Sequence, residues 1–272
     1  MKGLEVYWRI TDRCNLVCRH CCYDCGPSGE SVTPENAERI VDHLPDKLET
    51  LTLTGGEPMV VRPLLRRILG YINQRKFPNL HTTRLQTNGY WVKNPRSTYE
   101  NLVWLAEGGV NEIEFASYDL YHMEQGICVD NLCLSNPKEG RPLSSALQKL
   151  HQSHQTKLKT FLKGGYLIKP FGRGKKIKNI TDDKCFLKDI LFSIATIDPQ
   201  GNTYPCCYQR PYSIGNVIGS PLAQLIKKAK KDPILVALNK GDLLEISRTN
   251  SLEPHFDIFC SECEDFFSQI KK

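Results

Sequence analysis

LETLTLTGGEPMVVRPLLRRILGYIN, residues 48–73, reads as one strand, a turn and one helix. The β-rich run ends at Gly55, and the spacing of Leu64, Leu65, Ile68, Leu69 and Ile72 predicts a helix over 62–77. The unit recurs on either side. LEVYWRI (4–10) is a strand, and Thr11 to Val32 is a loop holding Cys, Gly and Pro. Thr33-Pro34-Glu35 opens a helix to about Leu44, with Thr33 as N-cap and Pro34 in the first helical position. HTTRLQTNG (81–89) and VNEIEFAS (110–117) read as the third and fourth strands, separated by a helix from Ser97 to Glu107. A weakly patterned stretch, 119–141, precedes a helix near 143–154 and a fifth strand in KTFLKGGYLIKP (159–170). Strands alternating with helices predict a parallel α/β sheet with right-handed crossovers.

The character changes after about residue 178. A strand, SIATIDP (193–199), is followed by a tight turn at Gln200-Gly201-Asn202, a second strand, TYPCCY (203–208), a helix over 221–239 and a Cys-bearing tail. We expect two domains, 1–178 and 179–272.

With 272 residues, 40% of them hydrophobic and 24% charged, the chain has the composition of a soluble globular protein able to bury a core. No apolar run reaches the roughly 18 residues that cross a bilayer. Glu5 and Arg9 interrupt the apolar stretch at the N-terminus, so it is not read as a signal peptide, and a cytoplasmic location is expected. Twelve cysteines in such a chain point to metal or redox chemistry rather than to a secreted disulfide scaffold. The net charge of +6 is concentrated: residues 157–188 hold ten Lys/Arg and two acids, Asp182 and Asp183, for +8, leaving −2 elsewhere. That window is either a solvated edge or a patch facing an anionic partner. No nucleic-acid motif accompanies it, so nucleic acid is not the expected partner.

Cys14, Cys18 and Cys21 lie in CNLVCRHC, directly after the first strand. Three thiolates on one loop can converge on a single centre, and soft thiolates favour zinc, Cu(I) or iron–sulfur. Three ligands leave a coordination position open, whereas structural zinc closes with four. Cys22 or Cys25 is available as a fourth, so counting alone leaves zinc open.

CNLVCRHC resembles the cluster signature of the radical S-adenosylmethionine (radical SAM) superfamily, in the loop where that family carries it. LTLTGGEPM (51–59) resembles the family's GGEP motif, and LQTNGYWV (85–92) its third-strand motif. The resemblance implies an α/β fold, here an abbreviated partial (β/α) TIM-type barrel, with a 4Fe-4S cluster held by Cys14, Cys18 and Cys21. SAM would chelate the fourth iron. Gly55 and Gly56 would let the backbone approach its methionine moiety, and Glu57, with Pro58 behind it, would face the ammonium. His20 takes the place of the family's usual aromatic residue near the adenine. Asn88 belongs to the third-strand motif, and Ser117 resembles a ribose-contacting position. Arg173, in PFGRG after the last barrel strand, is a candidate anion contact.

Cys185, Cys206, Cys260 and Cys263 supply four further thiolates, enough to close one tetrahedral site or one cubane. With GNTYPC, IGNV (214–217) and CSEC, they resemble the twitch domain, a shortened SPASM domain. The resemblance implies a small C-terminal α+β module with one auxiliary 4Fe-4S cluster. Cys22, Cys25, Cys128, Cys133 and Cys207 remain, and buried free cysteine is common. Cys207 and Cys128 are candidates to return a hydrogen atom to a substrate radical. Asp119 and His122, after the fourth strand, are candidates to accept a substrate proton.

The family's chemistry implies an external one-electron reductant of flavodoxin or ferredoxin type, reductive cleavage of SAM to a 5′-deoxyadenosyl radical, and abstraction of a substrate hydrogen atom. A single auxiliary cluster in so short a chain is similar to the alcohol dehydrogenase of aminoglycoside pathways. The leading expectation is oxidation or epimerisation of a sugar-like or other natural-product intermediate. The first alternative is modification of a ribosomally made peptide, and an alternative of another class is a zinc-stabilised basic binding module.

Overall fold

The computed structural model describes residues 3–134, 140–153, 158–164, 172–177, 188–206 and 212–250, with residues 266 and 269. Five parallel strands follow the chain in spatial order: β1 (Leu4–Thr11), β2 (Leu48–Gly55), β3 (Thr82–Thr87), β4 (Glu112–Tyr118) and β5 (Lys159–Gly164). Between them run α1 (Pro34–His43), α2 (Arg62–Arg75), α3 (Pro95–Glu107), a short turn α4 (Leu120–Met123) and α5 (Pro142–Ser153). The caps explain the starts. The Thr33 side chain accepts from the Asn36 amide, as expected. The Asn94 side chain accepts from the Ser97 amide, so α3 begins at Pro95, two residues earlier than its periodicity suggests.

Register puts one apolar row across the sheet. Trp8 lies opposite Leu53, Leu53 opposite Leu85, and Leu85 opposite Ile113, all fully buried. They join one core with Ile40 of α1, Ile68 of α2, Leu102 of α3 and Leu150 of α5. The alternate positions form the other face and are polar: Glu5, Tyr7 and Arg9; Thr50, Thr52 and Thr54; Arg84 and Gln86; Glu112 and Glu114. Polar side chains bridge the strands there. Thr54 Oγ1 donates to Gln86 Oε1 at 2.7 Å, and Gln86 Nε2 donates to Glu114 Oε1 at 2.8 Å. Arg84 pairs with Glu112 at 2.9 Å and approaches Glu5 at 3.6 Å.

The sheet does not stop at β1. β6 (Ile194–Ile197) pairs parallel with β1, Tyr7 opposite Thr196, and antiparallel β7 (Asn202–Tyr204) and β8 (Gly215–Asn216) extend the sheet outward. The order is β5-β4-β3-β2-β1-β6-β7-β8, an open sheet. The abbreviated, unclosed barrel is as expected. The strand SIATIDP, the first of the domain expected over 179–272, continues the same sheet.

The helix expected over 221–239 is two: α6 (Leu222–Ala229) and α7 (Pro233–Lys240), followed by α8 (Leu243–Thr249). Pro233 lacks an amide hydrogen, and Asp232 caps the new start by accepting from the amides of Ile234 and Leu235. A smaller apolar cluster gathers Leu191, Cys206, Leu235, Leu238, Ile246 and Phe266.

Candidate active site

The C-terminal ends of β1 to β4 meet at one rim, where barrel enzymes carry their chemistry. The loop after β1 is stitched to itself: Asp12 N donates to Glu30 O at 2.6 Å, Cys14 N to Gly26 O at 2.9 Å and Cys21 N to Cys18 O at 3.2 Å. Cys14 and Cys18 are buried, and Cys21 is half-buried. Two donors point at the Cys14 sulfur, Leu16 N at 3.4 Å and Asn88 Nδ2 at 3.8 Å. Burial pushes the Cys14 thiol up to about 11 and that of Cys18 up to about 12. Cys21 moves down to about 6, chiefly through a hydrogen bond from the Cys25 thiol, and the same contact raises Cys25. Neutral, buried thiols beside a proton-donating thiol are poised to be ionised by metal.

Gly55 and Gly56 are dictated by packing as well as by any ligand. A Cβ on Gly55 would lie 2.4 Å from Thr11 O, and one on Gly56 would lie 2.5 Å from Arg13 O. The close approach lets Gly56 N donate to Thr11 O at 2.8 Å and Glu57 N to Arg13 O at 2.9 Å, tying the thiol loop to the end of β2. Pro58 opens a 3-10 turn, Pro58–Val61, capped by Glu57.

Glu57 is fully buried. Its Oε1 accepts from Met59 N at 2.9 Å and Thr87 Oγ1 at 2.8 Å, and its Oε2 accepts from Asn88 N at 2.7 Å. Burial outweighs these donors and pushes the carboxyl up to about 7. The site lacks a cation's charge more than it lacks hydrogen bonds, which suits an incoming ammonium. Ser117, at the end of β4, is fully buried, and its hydroxyl has no partner among the described residues. It suits a ligand oxygen.

His20 stacks on Tyr121 at 4.9 Å and meets the edge of His122 at 4.9 Å. Burial brings its imidazole down to about 4, and its Nδ1 is buried without a partner among the described residues. Asp119 caps α4, accepting from the amides of Tyr121 and His122 through Oδ1, and its Oδ2 lies 2.7 Å from His122 Nδ1. Burial alone would raise the Asp119 carboxyl, but the hydrogen bond and charge of His122 hold it low. Among the described residues, His20, Asp119 and His122 form a trio whose ligand atoms lie within 4.8 Å of one another.

Arg173 lies against the thiol loop. Its partners are the carbonyls of the thiol loop: Nε donates to Cys18 O at 2.8 Å and Nη2 to Cys25 O at 2.7 Å. Its charge lowers all three thiols, Cys14, Cys18 and Cys21. Cys128 is exposed, ahead of a 3-10 turn at Val129–Leu132, and Cys206 is buried in the smaller core. Cys185, Cys207, Cys260 and Cys263 lie outside the described residues.

The contact of Cys25 with Cys21, the anchoring of Glu57 by Thr87 and the loop contacts of Arg173 leave no signal in the sequence. The polar face of β2 to β4 was written in their alternation: Thr50, Thr52 and Thr54 interleave with Leu51 and Leu53.

Two family models match the chain: the radical SAM superfamily over residues 8–116, and an iron–sulfur cluster-binding domain, SPASM, over residues 185–264. The protein belongs to the radical SAM superfamily and carries a C-terminal domain of SPASM type. SAM and 4Fe-4S clusters are therefore its cofactors, and the thiols, buried Glu57 and unpartnered Ser117 fit them. A curated relative, GTP 3',8-cyclase of Synechococcus sp. (strain CC9605), is 34% identical over 93 residues, covering 32% of this chain and 26% of the cyclase. The chain thus matches about a quarter of that relative's length. Among solved structures, BtrN in complex with AdoMet and 2-DOIA aligns with a TM-score of 0.61 at 14% identity, covering 97% of this chain and 94% of BtrN. An open conformation of BtrN aligns at 0.54 and 14% identity, with the same coverage of 97% and 94%. These likenesses concern the fold. No helix among the described residues is long and apolar enough to cross a membrane.

Proposed function

We propose that the protein is a radical SAM oxidoreductase or epimerase acting on a hydroxylated, sugar-like small molecule. The observation that carries this reading is the polar face of the sheet. There the Thr54–Gln86–Glu114 row and the Glu5–Arg84–Glu112 group offer hydrogen-bonding side chains below the rim. Such a face suits a compact molecule rich in hydroxyl or amino groups. When bound, SAM with a reduced cluster supplies a radical able to take a hydrogen atom from carbon, fed by an external one-electron donor.

The chain's own residues do the remaining work. Cys14, Cys18 and Cys21 would hold the first cluster, and Cys185, Cys206, Cys260 and Cys263 the auxiliary one. Glu57 would take the ammonium of SAM, with Gly55, Gly56, Pro58, Asn88, Ser117 and His20 shaping the rest of its pocket. Asp119 fixes the His122 ring through Nδ1. That leaves Nε2 to accept the hydroxyl proton that must leave when an alcohol carbon is oxidised, while the remaining electron would pass to the auxiliary cluster. For epimerisation, Cys128 or Cys207 would return the hydrogen atom.

The test is anaerobic turnover with SAM, a low-potential reductant and a panel of amino-sugar and polyol substrates in deuterated water. Oxidation gives a product two hydrogens lighter without solvent label at carbon, and epimerisation gives one solvent deuterium at the inverted carbon. Deoxyadenosine formed only with peptide substrates would overturn the reading. Asp119→Asn should lower kcat by about 100-fold, the usual scale of general-base assistance, with KM little changed.

A further inference from the structure

Arg173 reaches the thiol loop from the far end of the barrel, 155 positions away in sequence. It sits in a 3-10 turn, Gly172–Lys176, beyond β5. Its backbone N donates to Cys21 O at 3.0 Å, Nε to Cys18 O at 2.8 Å and Nη2 to Cys25 O at 2.7 Å. One residue therefore grips both ends and the middle of the arc from Cys18 to Cys25. Among the described residues its charge is weakly compensated: the carboxylate beside it, Asp24, is 3.5 Å away and 62% exposed, whereas the Arg173 side chain is 22% exposed. A long pair to an exposed acid is screened by water, and carbonyls carry dipoles but no net charge. The positive charge is left for the loop that carries the three thiols.

We propose that Arg173 is a positioning residue for the iron–sulfur centre: it holds the Cys18–Cys25 arc in its ligating shape, and its charge raises the reduction potential of that cluster. The proposal rests on the reading of Cys14, Cys18 and Cys21 as ligands. A cubane bound by three thiolates is a net anion, and one more electron makes it more negative by one unit. A fixed cation nearby stabilises the reduced form more than the oxidised one. The electron comes from the external one-electron donor, and no bond or proton is involved. The same grip joins the segment after β5 to the loop after β1, which no strand pairing among the described residues does.

The experiment compares wild type, Arg173→Gln and Arg173→Lys, reconstituted anaerobically. It measures iron per chain and an EPR-monitored redox titration of the cluster whose signal changes on adding SAM. The auxiliary cluster, unresponsive to SAM, serves as the internal reference. Arg173→Gln removes the charge, so its midpoint should fall below wild type. Arg173→Lys keeps the charge but loses the two-carbonyl grip, so its midpoint should stay near wild type while its iron content drops. A purely structural role would lower iron content in both variants and move neither midpoint, which overturns the proposal. A midpoint that falls equally in Arg173→Lys overturns it as well, and if Arg173→Gln takes up no cluster the uncharged comparison is made with Arg173→Met, whose midpoint should likewise fall below wild type. If changing Cys14, Cys18 and Cys21 together to Ala leaves the SAM-responsive signal in place, the ligand reading fails instead.

Discussion

Glu57 and His20 are two buried titratable groups on one rim, and their burial acts on stability in opposite directions. The Glu57 carboxyl rises from its ordinary 4.5 to about 7. Between those values the folded chain binds more protons than the unfolded one, so this site's contribution is present below pH 4.5 and lost as pH rises towards 7. At full burial that loss is about 3 kcal/mol, from roughly 1.4 kcal/mol for each unit of pKa. His20 falls from 6.5 to about 4, so its contribution is present above 6.5 and lost as pH falls towards 4. In cluster-free protein the two slopes offset one another. Removing the acid by Glu57→Gln should make Tm climb more steeply between about pH 5 and 6.5 than in wild type. His20→Phe should make it decline over the same range. Thermal unfolding of the three proteins across that range checks this, and parallel profiles would refute it. In loaded protein, Glu57→Gln should weaken SAM binding about 10- to 100-fold, the worth of one charge-assisted hydrogen bond, measured by equilibrium titration.

The element that decides the site is the pair of strands β1 and β2 with the loop between them. Gly56→Ala brings a Cβ within 2.5 Å of Arg13 O, so the loop must shift and the Glu57 N to Arg13 O bond must lengthen. We expect a loss of about 1–3 kcal/mol of stability, as for other overpacked sites, and a larger fall in iron content than in global stability. Denaturant unfolding beside an iron assay separates the two. At this scale the sequence was most legible: strand and helix alternation, Thr33 at its cap and Gly201 in its turn are local signals, and each is where its own neighbours put it. The break before Pro233 was visible too, because proline after aspartate is a start signal, but the apolar spacing of 222–238 masked it. What the sequence withheld is long-range. The grip of Arg173 and the pairing of β6 with β1 join positions more than a hundred residues apart, and no local pattern records such a meeting.

For the whole molecule, the eight-stranded sheet makes β1 an interior strand, flanked by β2 and β6. A chain cut after residue 178 would lose β6 and leave one side of β1 unpaired, with the buried Val6, Trp8 and Ile10 behind it. Unpaired edges of this kind recruit one another. Residues 1–178 expressed alone should aggregate, and analytical ultracentrifugation against the full chain checks this. A monomeric, iron-loaded fragment would show instead that the first five strands suffice. The same topology sets an order in time. The first strand leaves the ribosome early, but its β6 neighbour starts at Ile194, 183 residues after Thr11 (194 − 11). At about 5–20 residues per second, the nascent chain waits roughly 10–40 s with that flank open. The thiol loop hung on β1 thus gains its final scaffold late in synthesis. Iron delivered during that interval would meet a loop whose supporting strand is paired on one side only.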